Sequence, residues 1–198
     1  MMILGSGFFA MLSRMKYIQR WALMRNTEQE SISEHSLETA VIAHALAVIR
    51  NTRFGGSVDP EKVALLAIFH DAPEILTGDM PTPVKYFNPE IRDAYKKVES
   101  AAEKQLISML PDDLKDVYRP LICSDMCPSE EHLLVKAADK LSALIKCIEE
   151  EKAGSIEFAS AKESTLKSIK EMHIPEADMF LDEFIPAYSL TIDEQGLK

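Results

Sequence analysis

The apolar segments of this chain start at helix-capping signals and repeat with helical spacing, which confines it to an all-α architecture. Ser31-Ile32-Ser33-Glu34 is a capping box: the serine oxygen takes a free amide of the first turn and the glutamate reaches back. The following residues 40–49 are apolar on every side except at His44, the pattern expected of a helix at the centre of a bundle. Asp59-Pro60 supplies an N-cap and a proline at the first helical position, ahead of the apolar run 63–69. Asn88-Pro89 opens another helix, with Ile91, Tyr95, Val98, Ala102 and Met109 at helical spacing and Pro111 closing it. Residues 129–151 carry Leu134, Ala137, Leu141, Leu144, Ile145 and Ile148 on one stripe, and residues 155–172 and 176–184 form two further amphipathic segments. No segment alternates with period two. Residues 51–57 and 73–89 read as loops, the second broken by Thr77-Gly78-Asp79 and Pro81-Thr82-Pro83. The expectation is one all-α domain over residues 1–198, a helical bundle with irregular loops.

A chain of 198 residues buries roughly 70% of its unfolded surface, enough for a core without disulfide staples. Its net charge of −10 argues against binding a nucleic acid polymer, whose phosphates require a broad cationic surface. The charge is uneven: residues 1–27 hold Arg14, Lys16, Arg20 and Arg25 and no acid, a local +4, so the rest sums to −14. No run of 18 apolar residues exists, which speaks against a membrane-spanning helix. The apolar start precedes its charges, the wrong order for a secretory signal. Three cysteines make no disulfide framework, and Cys123 and Cys127, spaced C-x3-C, lack a second pair for a metal site. A cytoplasmic protein is the expectation.

The chemistry concentrates at His70-Asp71, two polar residues closing seven apolar ones. If both enter a cavity, an imidazole nitrogen and a carboxylate oxygen can chelate one divalent ion, and mixed N/O ligands suit manganese, cobalt, iron or zinc. At about 100° per residue, His35 and His44 point to opposite sides of one helix. His35 shares a face with Ile42 and Leu46; His44 lies with Leu37, Val41 and Val48 and reads as a core histidine bonded to a carbonyl. Glu74 falls angularly between His70 and Asp71, one turn onward, where a catalytic acid or base would stand. Pro73 makes that position approximate, because it disfavours helix at Ala72. Asp139 lies opposite the main apolar stripe of its helix, beside Val135, Ser142 and Ala143. Periodicity alone favours a solvated carboxylate there, with a second interior face as the alternative.

Taken together, His35, then His70-Asp71, then Asp139 resemble the H…HD…D pattern of the HD-domain metal-dependent phosphohydrolases. Five motifs resemble the YfbR-type 5′-deoxynucleotidases more closely: Arg20-Trp21 with the residues to Asn26, Ser33-Glu34-His35-Ser36, His70-Asp71-Ala72-Pro73-Glu74, residues 77–88, and Lys136-Ala137-Ala138-Asp139. They run in the same order over nearly the whole chain. The resemblance implies an HD-domain fold and hydrolysis of 2′-deoxynucleoside 5′-monophosphates to deoxynucleoside and phosphate. It implies one divalent ion, preferably cobalt, with manganese or another transition metal as substitutes, held by His35, His70, Asp71 and Asp139. Glu74 matches the catalytic acidic residue and Arg20 the phosphate anchor. Trp21 would pack on the sugar side, and Asp79, Met80, Pro81 and Thr82 would line the nucleoside pocket, with His35, Asp71 and Asp139 also facing substrate. Lys85, Lys136 and Lys140 are further sources of positive charge. A homodimer follows by the same resemblance. Other readings are a triphosphohydrolase or cyclic-nucleotide phosphodiesterase of the HD type, or a non-catalytic nucleotide sensor that kept the pocket.

Overall fold

The computed structural model describes residues 5–123 and 129–196. In chain order the helices are α1 (Phe8–Leu12), α2 (Ile32–Arg53), α3 (Pro60–Phe69), α4 (Glu74–Thr77), α5 (Thr82–Lys85), α6 (Pro89–Ser108), α7 (Asp112–Ile122), α8 (Glu130–Lys152), α9 (Ala159–Glu171) and α10 (Pro175–Glu183). Two 3-10 turns, Ser13–Tyr17 and Ile185–Ser189, complete the regular structure. Among the described residues the extended pairing is a single antiparallel bridge, Gln19 with Ser31. The all-α expectation is met.

The capping signals set the helix starts. Ser31 accepts from the Glu34 N–H while Glu34 bonds back to Ser31, and Asp59, Asn88 and Ser129 each accept from the amide three residues on. Helices α2, α3 and α8 pack on one another, and Ile42, Leu46, Leu66, Leu134, Leu141 and Ile145 fill the space between them. A second cluster joins Phe8 with Leu106, Ile107 and Ile122, and a third, Met15 with Ile32 and Ile75, lies where the N-terminal segment crosses α2 and α4.

Four features differ from expectation. α2 runs to Arg53, so the loop predicted from Asn51 begins later. The stretch 73–89 contains α4 and α5, each of four residues and too short to display a period. α7 has no counterpart in the sequence reading; polar residues and an internal Pro120 mask its pattern. The centre of α2 is not enclosed on all sides: Leu37 and Val41 are 66% and 64% exposed, and His44, on the same face, is exposed rather than core. The split into two faces was legible; which one faces solvent follows from α3 and α8 covering the other. Cys127 lies outside the described residues.

Candidate metal centre

Three elements meet at one point: the first turn of α2, the end of α3 and the middle of α8. His35 follows the capping box, and its side chain is fully buried. Its Nε2 lies 3.1 Å from Asp139 Oδ1 and 3.5 Å from Asp71 Oδ2. His70 ends α3, where helix geometry leaves carbonyls without intrahelical partners; its Nδ1–H donates to the Ala67 carbonyl at 2.6 Å. That bond turns Nε2 inward, 3.2 Å from Asp71 Oδ2 but out of line for a hydrogen bond, leaving a buried nitrogen without a hydrogen-bond partner. The two imidazole rings lie 5.3 Å apart. Ligand atoms of His35, His70 and Asp71 fall within 4.8 Å of one another.

This donor set fits a divalent transition-metal ion. Two imidazoles and the carboxylate of Asp71 are borderline N/O ligands of the kind such ions take, while Asp139 lies outside that group of three and meets it only at His35; both histidines have their second nitrogen held by another group. Burial lowers the pKa of His35, with Arg20 adding to the effect and Asp139 and Asp71 opposing. Burial also disfavours the charged form of His70, but the carboxylate of Asp71 outweighs it and lifts His70 to about 9. Against the same burial, His70 holds Asp71 low and His35 holds Asp139 low.

Glu74 stands at the first position of α4. Pro73 caps that helix after the chain breaks out of α3, so the continuous-helix geometry does not apply. The Glu74 N–H donates to the Asp71 carbonyl at 2.9 Å, keeping the two residues one tight turn apart. Its Oε2 is buried without a hydrogen-bond partner. Burial, then the charges of Asp71 and Asp79, push its carboxyl up to about 9 against the pull of Arg20 and Lys85. Gly78, at φ +73°, ends α4 in a conformation that a side chain would strain, and turns the chain so that Asp79 follows.

Asp79 meets the N-terminal segment: its Oδ2 accepts from the Trp21 N–H at 3.3 Å. Trp21 has φ 60°, a left-handed backbone that costs a non-glycine residue about 1–3 kcal/mol. Its indole Nε1 donates to Glu30 Oε2 at 2.9 Å and its ring packs 5.3 Å from that of Phe158. Arg20 donates to the same Glu30 oxygen at 3.2 Å. Burial opposes the Arg20 charge, but the carboxylates of Glu30, Asp139, Asp71 and Asp79 outweigh it and raise its pKa above the ordinary value. Met80 and Pro81 are half-buried and Thr82 exposed, directly after Asp79. Lys85 is paired with Glu99 at 2.8 Å.

A family model described as "5′-deoxynucleotidase YfbR-like" matches residues 7–188. The chain belongs to this YfbR-like family. A 5′-deoxynucleotidase of Vibrio cholerae is 53% identical over 189 residues, which are 96% of this chain and 97% of the relative. An HD-domain phosphohydrolase of Listeria innocua has a solved structure that superposes with a TM-score of 0.82 at 26% identity, covering 96% of this chain and 91% of that one. A cyanophage S-2L HD phosphohydrolase, solved bound to dA and one catalytic Zn2+ ion, superposes at 0.64 over 89% of this chain and 95% of its own; at 18% identity that likeness speaks for the fold.

Residues without a motif of their own stand around the cluster. Glu30 orients both Arg20 and Trp21, and Glu38 and Ser142 stand behind His35. Glu30 directly precedes the capping box, but nothing in its spacing marks a role. These contacts exist only once the N-terminal segment, α2 and α8 are packed together.

Proposed function

We propose that this chain is a metal-dependent 5′-deoxynucleotidase that hydrolyses 2′-deoxynucleoside 5′-monophosphates to deoxynucleoside and phosphate, built as one HD domain. The observation that carries the assignment of roles is the convergence of His35, His70, Asp71 and Asp139, with Arg20 held toward them by Glu30. His35, His70, Asp71 and Asp139 would hold one divalent ion, cobalt by preference and manganese or zinc as substitutes. When bound, such an ion lowers the pKa of a coordinated water and neutralises charge on the phosphoryl oxygens. Arg20 supplies a planar, permanently charged fork for the phosphate, a geometry lysine does not reproduce. Glu74, one tight turn from Asp71 and with its Oε2 buried and without a hydrogen-bond partner, is placed to give a proton to the departing 5′-oxygen. Trp21, fixed at both its N–H groups by Asp79 and Glu30, presents a wall to the sugar, where a 2′-hydroxyl stripped of water would cost about 1–3 kcal/mol. Asp79, Met80, Pro81 and Thr82 line the nucleoside side.

The apolar face of α2 with Leu37, Val41 and Val48 open to solvent supports a homodimer. No helix of the described residues is long and apolar enough to cross a membrane. The buried free thiol of Cys147 suits a reducing cytoplasm. Phosphate release from paired deoxy- and ribonucleoside monophosphates, with cobalt, manganese, zinc or magnesium, tests the function. Release from the deoxynucleotides and far less from their ribose partners is expected. Equal rates on both sugars would remove the role given to Trp21, and no release from any monophosphate would remove the assigned reaction.

A further inference from the structure

His35 has two ring nitrogens, and a metal ligand must present the right one with its lone pair free. Nε2 faces Asp71 and Asp139. Nδ1 lies 3.0 Å from Ser142 Oγ, and Ser142 Oγ lies 2.6 Å from Glu38 Oε2. A serine hydroxyl carries one proton. Donated to the Glu38 carboxylate, it leaves Oγ as an acceptor toward the imidazole, which draws the ring proton to Nδ1 and leaves Nε2 free for a cation seated between it and the carboxylates of Asp71 and Asp139. The spacing is matched on two helices. Glu38 follows His35 by three residues on α2, and Ser142 follows Asp139 by three on α8, so each support lies one turn beyond a proposed ligand. Ser142 is fully buried, as is Thr39, whose hydroxyl lies 3.5 Å from both ring nitrogens. His70 achieves the same orientation through the Ala67 carbonyl, a backbone group that side-chain substitution cannot delete. The support of His35 is made entirely of side chains and can be removed.

We infer that Glu38 and Ser142 are positioning residues, a relay between α2 and α8 that holds His35 in the Nδ1–H tautomer and thereby makes its Nε2 a metal ligand. The inference rests on the metal-site reading above. Partners of this kind behind a ligating histidine typically change metal affinity by about 10–100-fold.

The test is calorimetric titration of the metal-free full chain with Co2+, for wild type, Ser142→Ala, Ser142→Thr, Glu38→Met and Glu38→Gln. It is paired with long-range 1H–15N spectra of the histidines above the carboxylate pH range. The relay predicts Co2+ affinity about 10–100-fold weaker in Ser142→Ala and Glu38→Met. It predicts rescue in Ser142→Thr, which keeps the hydroxyl, a smaller loss in Glu38→Gln, and an Nδ1–H signature for wild-type His35. A role confined to packing would lower the melting temperature and leave the Co2+ affinity unchanged, which overturns the relay. A wild-type His35 protonated at Nε2 overturns it too, and needs no variant to fold. Failure of the wild type to bind Co2+ would instead overturn the metal-site reading itself.

Discussion

Glu150 anchors the segment that carries Arg20 and Trp21, so replacing it tests how the N-terminal strap is held. The side chain is 1% exposed on α8. It accepts from the Thr27 N–H and Oγ1, each at 2.8 Å, from the Glu28 N–H at 3.3 Å and from Lys146 Nζ at 2.5 Å. Burial works against its charge, but the bonds from Lys146, Thr27 and Glu28 prevail and hold its carboxyl at about 2, against an ordinary 4.5. A difference of about 2.5 units corresponds to about 3 kcal/mol. Because the folded-state pKa is depressed, that stability is present above about 4.5 and drains away as pH falls toward 2. Glu150→Gln keeps the shape, removes the charge and leaves the buried Lys146 ammonium unpaired, a loss of about 3–5 kcal/mol. For a chain of this length it lowers the melting temperature by roughly 6–20 °C near pH 7. Calorimetry of wild type and variant at neutral pH and at about pH 3 checks it. The gap between them should shrink in acid. Equal melting temperatures at neutral pH, or a gap independent of pH, would refute the reasoning.

The remaining predictions concern the site. Glu74→Gln should cut kcat by about 10²–10⁴-fold while elemental analysis finds the metal content unchanged; lost metal would move Glu74 among the ligands. Arg20→Lys keeps the charge and loses the fork held by Glu30, so kcat/KM should fall by about 10–150-fold, as expected for a charged hydrogen bond of about 1.5–3 kcal/mol; unchanged steady-state kinetics would contradict a phosphate contact. Stripping divalent ions with a chelator should lower the melting temperature, and excess cobalt at about 100 times its Kd should restore about 2.7 kcal/mol.

Much of the scaffold is written in short-range signals. Ser31, Asp59, Asn88 and Ser129 each announce a helix because capping depends on residues three positions apart. α4 and α5 are invisible to that logic, since one turn shows no period. His44 is exposed although its neighbours are apolar, because apolar neighbours alone do not say whether a second helix, or another molecule, covers them. At the site, His70-Asp71 was conspicuous as two polar residues closing an apolar run. Asp139 was not, because its significance depends on His35 across two helices, 3.1 Å away in space. Ser142 and Glu38 were harder still: their bond joins residues 104 positions apart, and neither has a motif of its own. The resemblance to HD phosphohydrolases supplied Asp139, and packing supplied the groups that orient the ligands.

Anomalous diffraction at the cobalt edge, on crystals grown with Co2+, addresses the metal site most directly. The expected result is one peak per chain, bonded to His35 Nε2, His70 Nε2, Asp71 and Asp139. A peak elsewhere, such as among Glu38, Glu149 and Glu150 in the acidic cavity beside Lys146, with those four residues left bare in a protein that still releases phosphate, would contradict it.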